Sequence, residues 1–350
     1  MNKICFIADA SSPHTLKWVR GCRRLGWEML VISHTPGEIE GARVVVHPLT
    51  LTGFPKYCWS VRRIIRQFQP DIIHAHQFGA HGLYAWFAGC RILINSAWGS
   101  DILVNPRQSK LLKWLVKWLI SRSALITSDS PQVTAELQHL GARPEQIRMI
   151  LFGMERSVYQ QLQSVTKPLS PRVICSPRLH EPLYNLEIVL EAFQRISVQY
   201  PDVWLWFLGD GSLTGKLQQF VREHGLERVR FFGRVPAAQA VELISQSQIM
   251  VSIPKSDGTP VSMLEAMAAG SFPIVSDLPV YHDWIEHGVN GLISGLDPVE
   301  LAAAFKRAVD DPRLRQAAAD YNRKLIAERA IWEDRFEVML DYYRKAVGKS

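Results

Sequence analysis

Two acids, Asp257 and Glu265, stand with seven residues between them inside "SDGTPVSMLEAMAAGSFPIVSD", Ser256 to Asp277. Thr259 followed by Pro260 suits the cap and first position of a helix, and Gly270 suits its end, so the pattern predicts a helix over residues 260–269. Glu265 is its only charge. The other side chains there are apolar or small, which predicts a helix buried nearly all round, and a buried carboxylate needs hydrogen-bond donors or a cation. With Asp257 on a loop and Glu265 in the helix, both can face one pocket and accept hydrogen bonds from adjacent hydroxyls of a ribose or hexose. A structural ion pair is the competing reading of Glu265.

Three strand ends in the second half carry groups suited to an anion. "CSPRLHEPLYN" puts Arg178 just past one strand, "FLGDGS" puts Gly209 past the next, and "IPKSDGTPV" puts Gly258 past a third. In open parallel sheets ligands sit at the carboxyl ends of strands, where helix N-termini turn free amides outward. Gly258 lets backbone amides approach a ligand, and the helix that begins at Pro260 aims its positive end at it. A diphosphate is the natural occupant. A surface arginine and an ordinary turn are the plain alternatives for Arg178 and "GDGS".

The first half offers looser candidates. Ser12 and Pro13 in "ADASSPHT" read as a capping turn, while His14 beside them has no assigned role. "DIIHAHQFG" places His74 and His76 two apart, on one side of a strand if it continues that far, with no third ligand for a metal. Asp101 in "SAWGSDI" suits a helix cap.

These residues need a frame to hold them. Short β-branched and aromatic runs such as "ICFIA", "DIIHAH", "RVICSPR" and "IMVSIP" alternate with helical patterns, twelve such runs in all. Alternation of this kind predicts parallel sheets with helices on both faces, so both halves read as doubly wound α/β. "MERSVYQQLQSVTKPLSP", Met154 to Pro171, interrupts the pattern and is read as the linker, with a ligand cleft beside it. The expected domains are residues 1–163 and 164–334, with 335–350 a closing helix that reaches back to the first domain. The chain has 350 residues and 47% hydrophobic side chains, enough for two cores.

A net charge of +7 favours anionic partners, but no nucleic-acid motif is present and the basic residues are spread through amphipathic segments. Five cysteines without metal-like spacing suggest neither a disulfide framework nor a zinc site, and the N-terminus lacks a signal-peptide core, so a cytoplasmic protein is expected. "SKLLKWLVKWLISRSALI" sets Lys110, Lys113 and Lys117 on one helical side with Trp114 and Trp118 a turn apart. Such a helix suits peripheral contact with an anionic membrane through residues 110–122, and packing against its own sheet is the competing reading.

Taken together, Asp257, Glu265, "EAMAAGSFPIV", "PRLHEPLYNLEIVLEAF", "WLWFLGDG", "RVRFFGRV" and "DWIEHGVNGLI" resemble, in order, the donor-binding domain of family-four retaining glycosyltransferases of the GT-B fold. The resemblance implies two Rossmann-like domains facing across a cleft. It implies that Glu265 bonds the ribose of a nucleoside diphosphate sugar and that Asp257, where the family usually has glutamate, contacts the transferred sugar. Amides of Gly258, Thr259, Val261 and Ser262 then cradle phosphate and sugar, Arg178 neutralises the leaving diphosphate, and Gly233, Arg234 and Val235 border the base. The family's lysine after the arginine is missing, and Tyr184 stands near its place. By the same resemblance His76 contacts the donor sugar better than His74, which reads as a core residue, and Asp101, His14 and Ser12 lie on the acceptor side.

The implied activity is retaining transfer of a hexose or related sugar from a UDP- or GDP-linked donor to a carbohydrate or lipid-linked acceptor. No metal or cofactor is expected, since the nucleotide sugar is a substrate. A sugar-nucleotide epimerase and a non-catalytic binding subunit are the rivals; a dinucleotide oxidoreductase is weaker, because "ADASSPHT" lacks Gly-x-Gly-x-x-Gly.

Overall fold

The structure is a computed structural model and describes residues 1–89, 91–258 and 261–348. The chain divides into two compact units, one of Met1–Phe152 with the chain from Glu333 on, the other of Gly153–Trp332.

The first unit is built on seven strands: β1 Lys3–Ile7, β2 Glu28–Ser33, β3 Arg43–Val46, β4 Ile72–His76, β5 Ile92–Ser96, β6 Leu125–Ser128 and β7 Ile147–Met149. They pair in parallel in the order β3-β2-β1-β4-β5-β6-β7. The chain leaves β1 in one direction and resumes at β4 on its other side, so the order reverses between those two strands and a crevice opens at their carboxyl ends. Helices cover both faces, which is why "ICFI" and "IIHAH" are almost continuously buried. Strand β7 was not among the twelve runs read from the sequence. It is a three-residue edge strand in which only Ile147 is buried, too short to leave a pattern.

The second unit has six parallel strands: β8 Arg172–Ser176, β9 Val203–Phe207, β10 Val229–Phe231, β11 Ile249–Ser252, β12 Phe272–Ser276 and β13 Leu292–Ser294. Their order is β10-β9-β8-β11-β12-β13, so the reversal falls between β8 and β11. One continuous core of Val189, Leu190, Phe193, Leu205, Val251, Ile274 and Phe305 fills the space between this sheet and its helices.

Residues 154–171 do more than link. The helix Arg156–Gln163 packs in the second unit, where Gln163 Nε2 donates to the Ala268 carbonyl at 3.0 Å and Tyr159 Oη to the Arg323 carbonyl at 3.2 Å. The unit boundary therefore falls at Phe152/Gly153 and not at 163/164. At Gly153 an added Cβ would lie 1.9 Å from the Ala330 carbonyl oxygen, so only glycine admits the crossing of these two segments. The last helix, Trp332–Gly348, packs in the first unit: Phe336 meets Trp18 at 5.0 Å and Tyr343 Oη lies 2.6 Å from His74 Nδ1.

Candidate active site

In the second unit the crevice between β8 and β11 is lined by a ring of polar side chains. Arg178, two residues past β8, donates through Nε to Ser252 Oγ at 2.7 Å, and Ser252 is the last residue of β11. Its Nη2 donates to Asp257 Oδ2 and, at 3.1 Å, to Tyr281 Oη. Tyr281 stands on the short helix Pro279–His282 after β12, lies 3.1 Å from Ser252 Oγ and donates to Asp257 Oδ2 at 2.7 Å. The protons are consistent around this circuit: Arg178 donates to Ser252, Ser252 to Tyr281, and Tyr281 and Arg178 both to Asp257. Burial raises the Tyr281 pKa, so it remains a neutral phenol and keeps its donor.

The loops around the ring are pinned in turn. Asn185, at φ 52°, donates through Nδ2 to the Ile253 carbonyl at 2.7 Å, and the Lys255 amide donates to the Leu183 carbonyl at 2.9 Å. These bonds tie the loop after β8 to the loop after β11 and set the Tyr184 ring 5.4 Å below the Arg178 guanidinium. Gly209 has φ 108°, its amide donates to the Gly233 carbonyl at 2.8 Å, and a Cβ on it would meet the Arg178 carbonyl oxygen at 3.0 Å. Glycine at 209 thus lets the loop after β9 reach the arginine's backbone.

Arg178, Tyr184, Gly209, Gly233 and Asp257 are therefore brought together. Arg234 is exposed and Val235 half-buried on the loop after β10. The exposed Gly258 amide donates to Asp257 Oδ1 at 3.0 Å. Thr259 and Pro260 lie outside the described residues. The helix Val261–Ala268 opens with half-buried Val261 and Ser262 and carries half-buried Glu265 between buried Leu264 and Ala266; Gly270, at φ 73°, follows its end. The sequence reading gave Arg178 to a diphosphate and Asp257 to a sugar, whereas the structure pairs the two with each other.

In the first unit His76 closes β4. Its ring is walled by Phe6 at 5.5 Å, Trp18 at 5.6 Å, His74 at 4.9 Å and Trp98 at 4.9 Å, its Nδ1 lies 3.3 Å from Thr15 Oγ1, and its buried Nε2 has no hydrogen-bond partner. Burial, then the nearby histidines, hold it well below the ordinary histidine pKa and hence neutral. His74 is a satisfied core residue, bonded to Tyr343 Oη and, at 2.7 Å, to Ser96 Oγ, with its pKa pushed down to about 3 by burial.

Asp101 is buried, with both carboxylate oxygens taken by backbone amides, Phe78 at 2.9 Å and Trp98 at 3.0 Å; burial raises its pKa to about 6. It fastens the loop after β4 to the loop after β5. Ser12 occupies the cap position of the helix Pro13–Cys22, but its side chain makes no capping bond. The turn is held instead by Asp9, which accepts from the Ser11 amide at 2.9 Å and from Thr35 Oγ1. His14 is exposed on the rings of Trp98 at 5.4 Å and Phe152 at 4.2 Å. Among the described residues no three His, Cys, Asp or Glu side chains converge as a metal site would require.

Sequence reasoning missed Ser252, Tyr281 and Trp98. The first carried a signal: β8, β11 and β12 each end on serine, Ser176, Ser252 and Ser276, at the carboxyl edge of the sheet. Nothing in "PVYHDW" marked Tyr281.

Comparison with known proteins shows the family and the fold. Residues 160–325 match the family described as Glycosyl transferases group 1, and residues 3–130 match Glycosyl transferase 4-like. The D-rhamnosyltransferase WbpZ of Pseudomonas aeruginosa is 28% identical over 60% of this chain and 55% of its own length. The N-acetyl-alpha-D-glucosaminyl L-malate synthase of Bacillus anthracis is 22% identical over 81% of this chain and 78% of its own. The match to WbpZ thus spans just over half of that protein. Among solved structures, Anabaena Alr3699/HepE in complex with UDP and glucose superposes with a TM-score of 0.78 over 99% of this chain and 100% of that one, at 18% identity. With the two family matches running along both units and the whole fold shared, the chain belongs to the GT-B glycosyltransferases of the glycosyl transferases group 1 family.

Proposed function

We propose that this protein transfers a sugar from a UDP- or GDP-linked donor to an acceptor hydroxyl with retention of configuration. The observation that carries the reading is Arg178, fixed by Ser252 and Tyr281 at the reversal point of the second sheet, beside the loop that leads to the Glu265 helix. Glu265 binds the ribose hydroxyls. Arg178 and the amides at the start of the helix, Val261 and Ser262 among them, receive the diphosphate, and the loop with Gly233, Arg234 and Val235 borders the base. Solved HepE complexes with UDP and with UDP-glucose, and mannosyltransferases among the relatives, support a nucleoside diphosphate sugar.

In the reaction the bond between the sugar's anomeric carbon and the diphosphate oxygen breaks, and the acceptor oxygen bonds that carbon on the same face. The acceptor proton passes to the departing diphosphate, so no enzymic nucleophile is required. Arg178 stabilises the charge that develops on the leaving group. Asp257 takes up its sugar contact when released from Arg178, whereas His76, 0% exposed behind Phe6, Trp18, His74 and Trp98, has no surface open to a sugar. The positive charge of Arg178 and the helix amides fills the place of a divalent metal, and no metal takes part.

The acceptor is a carbohydrate or a lipid-linked sugar in polysaccharide, glycolipid or other glycoconjugate synthesis, met at the cytoplasmic face of a membrane. The helix Lys110–Arg122 buries Leu115, Val116, Leu119 and Ile120 in its own unit but leaves Trp114 60% exposed. It is one end of a ladder of rings across three helices: Trp114 to Trp118 at 6.3 Å, Trp118 to Trp86 at 4.4 Å, Trp86 to Phe87 at 6.4 Å and Phe87 to Trp59 at 5.4 Å, with Trp59 66% exposed. The helices Phe54–Phe68, Ala80–Ala88 and Lys110–Arg122 that bear these rings contain eight lysines and arginines and no acid. Aromatic rings edged by cations suit an anionic lipid surface. No helix among the described residues is long and apolar enough to cross a membrane.

The testing experiment supplies UDP- and GDP-sugars with and without acceptor glycans and glycolipids. Acceptor-dependent release of nucleoside diphosphate with an α-linked product from an α-linked donor is expected. Conversion of the donor without acceptor would point to an epimerase, and donor binding without turnover to a non-catalytic subunit.

A further inference from the structure

Arg178 is held from two kinds of support. Ser252 and Tyr281 are neutral hydroxyls, 1% and 0% exposed, standing on a strand end and a helix. Asp257 is a charged partner on the loop after β11, which has no regular structure from Ile253 to Gly258. The guanidinium's Nη2 meets both, and the Tyr281 hydroxyl proton points at the same Asp257 Oδ2 that accepts from Nη2. Two donors thus converge on one carboxylate oxygen, the arrangement that a phosphate oxygen of a diphosphate also requires.

We propose that Asp257 is an internal counterion which a nucleoside diphosphate displaces from Arg178, and that Tyr281 is the positioning residue that keeps the guanidinium aimed during the exchange. This rests on the reading of Arg178 as the diphosphate cation. When the carboxylate swings away, Arg178 Nη2 and Tyr281 Oη keep their hydrogens directed at the same point, now taken by a phosphate oxygen. Ser252 and Tyr281 still bond the guanidinium, so it does not follow Asp257. The charge balance is kept throughout, because one anion replaces another at a partly buried cation that would be costly to leave alone. The exchange also frees Asp257 for the sugar, and the aspartate's short reach sets the two jobs apart in time, since one side chain cannot serve both.

The test is calorimetric titration of the full chain with UDP, GDP and the matching monophosphates. Asp257→Asn removes the competing charge while keeping shape and hydrogen-bonding capacity, and is expected to tighten diphosphate binding about three- to tenfold, in the range of a modest ion pair, with monophosphate binding unchanged. Tyr281→Phe, shown folded by circular dichroism and thermal melting, is expected to weaken diphosphate binding about tenfold, as for a lost hydrogen bond to a charged group. Its monophosphate affinity should stay at the wild-type level, which a merely structural loss would not allow. Unchanged or weaker diphosphate binding in Asp257→Asn, with the wild-type protein binding normally, overturns the proposal. Equal losses for mono- and diphosphate in Tyr281→Phe overturn its positioning role. If the wild-type protein binds neither diphosphate, the functional reading itself falls.

Discussion

The two units place their candidate residues at the same kind of spot, the carboxyl ends of two strands where the sheet order reverses, β1 and β4 in one and β8 and β11 in the other. They fill it with opposite chemistry. At the first, His76 sits neutral among Phe6, Trp18 and Trp98, and the nearby charge of Asp101 is spent on two backbone amides. At the second, Arg178 and Asp257 stand paired in a closed ring with two hydroxyls and are only partly covered. A shared architecture therefore fixes where a ligand can bind, while the side chains at the strand ends decide whether the site stabilises charge or shapes a pocket.

If the second site carries the leaving-group charge, Arg178→Ala should lower kcat/KM about 10²–10³-fold. Arg178→Lys should restore little, because lysine cannot keep the fork that meets Ser252, Tyr281 and Asp257 together. Steady-state kinetics settle it, and near-normal turnover in Arg178→Ala would erase the contrast between the sites.

Acid titration sharpens the other side. His74 has its folded pKa depressed to about 3, so the folded state binds fewer protons than the unfolded one, and its stabilising share is lost as pH falls from about 6.5 towards 3. Asp101 works with the opposite sign: its folded pKa is raised to about 6, so its share is present at acid pH and lost as pH rises from about 4 to 6. The larger single shift belongs to His74, aided by His76 and opposed by Asp101 and Asp129, so stability, and the melting temperature with it, should fall with acid. His74→Gln should flatten that slope. An unaltered slope in the variant would mean that the histidine is not held neutral.

A smaller effect is expected at the aromatic face of the first unit. Trp59→Ala with Trp114→Ala should reduce binding to vesicles containing anionic lipid roughly tenfold, leave nucleotide affinity unchanged, and be mimicked by high salt only in part. Equal binding by wild type and variant in flotation would remove the ladder as a membrane contact. The smallest effect is that of chelation: activity measured in excess EDTA should equal the untreated value, and a metal-restored loss would reassign the diphosphate's charge partner.

Much of this frame was legible from the sequence. Strand and helix alternation marked both sheets, and the helix Val261–Ala268 lies inside the 260–269 read from a run of helix formers closed by Gly270, because such signals are local. The ring was not legible. Arg178 meets Asp257 across 79 residues and Tyr281 meets Asp257 across 24, and only the parallel sheet brings those strand ends side by side. His76 and Asp101 were singled out by type and position, but the rings of Phe6, Trp18 and Trp98 that enclose one, and the Phe78 and Trp98 amides that make the other a clasp for two loops, come together only through packing.

The central claim is that the second unit binds a nucleoside diphosphate through Arg178 and Glu265. Its most direct test is the thermal shift of the purified full chain, without added metal, against UDP, GDP and ADP, repeated with Arg178→Ala and Glu265→Ala. At about 100 times the dissociation constant one nucleotide should stabilise the protein by roughly 2.7 kcal/mol, and both variants should lose the shift. A folded wild-type protein that shifts with none of the three, or variants that shift as fully as it does, would contradict the account.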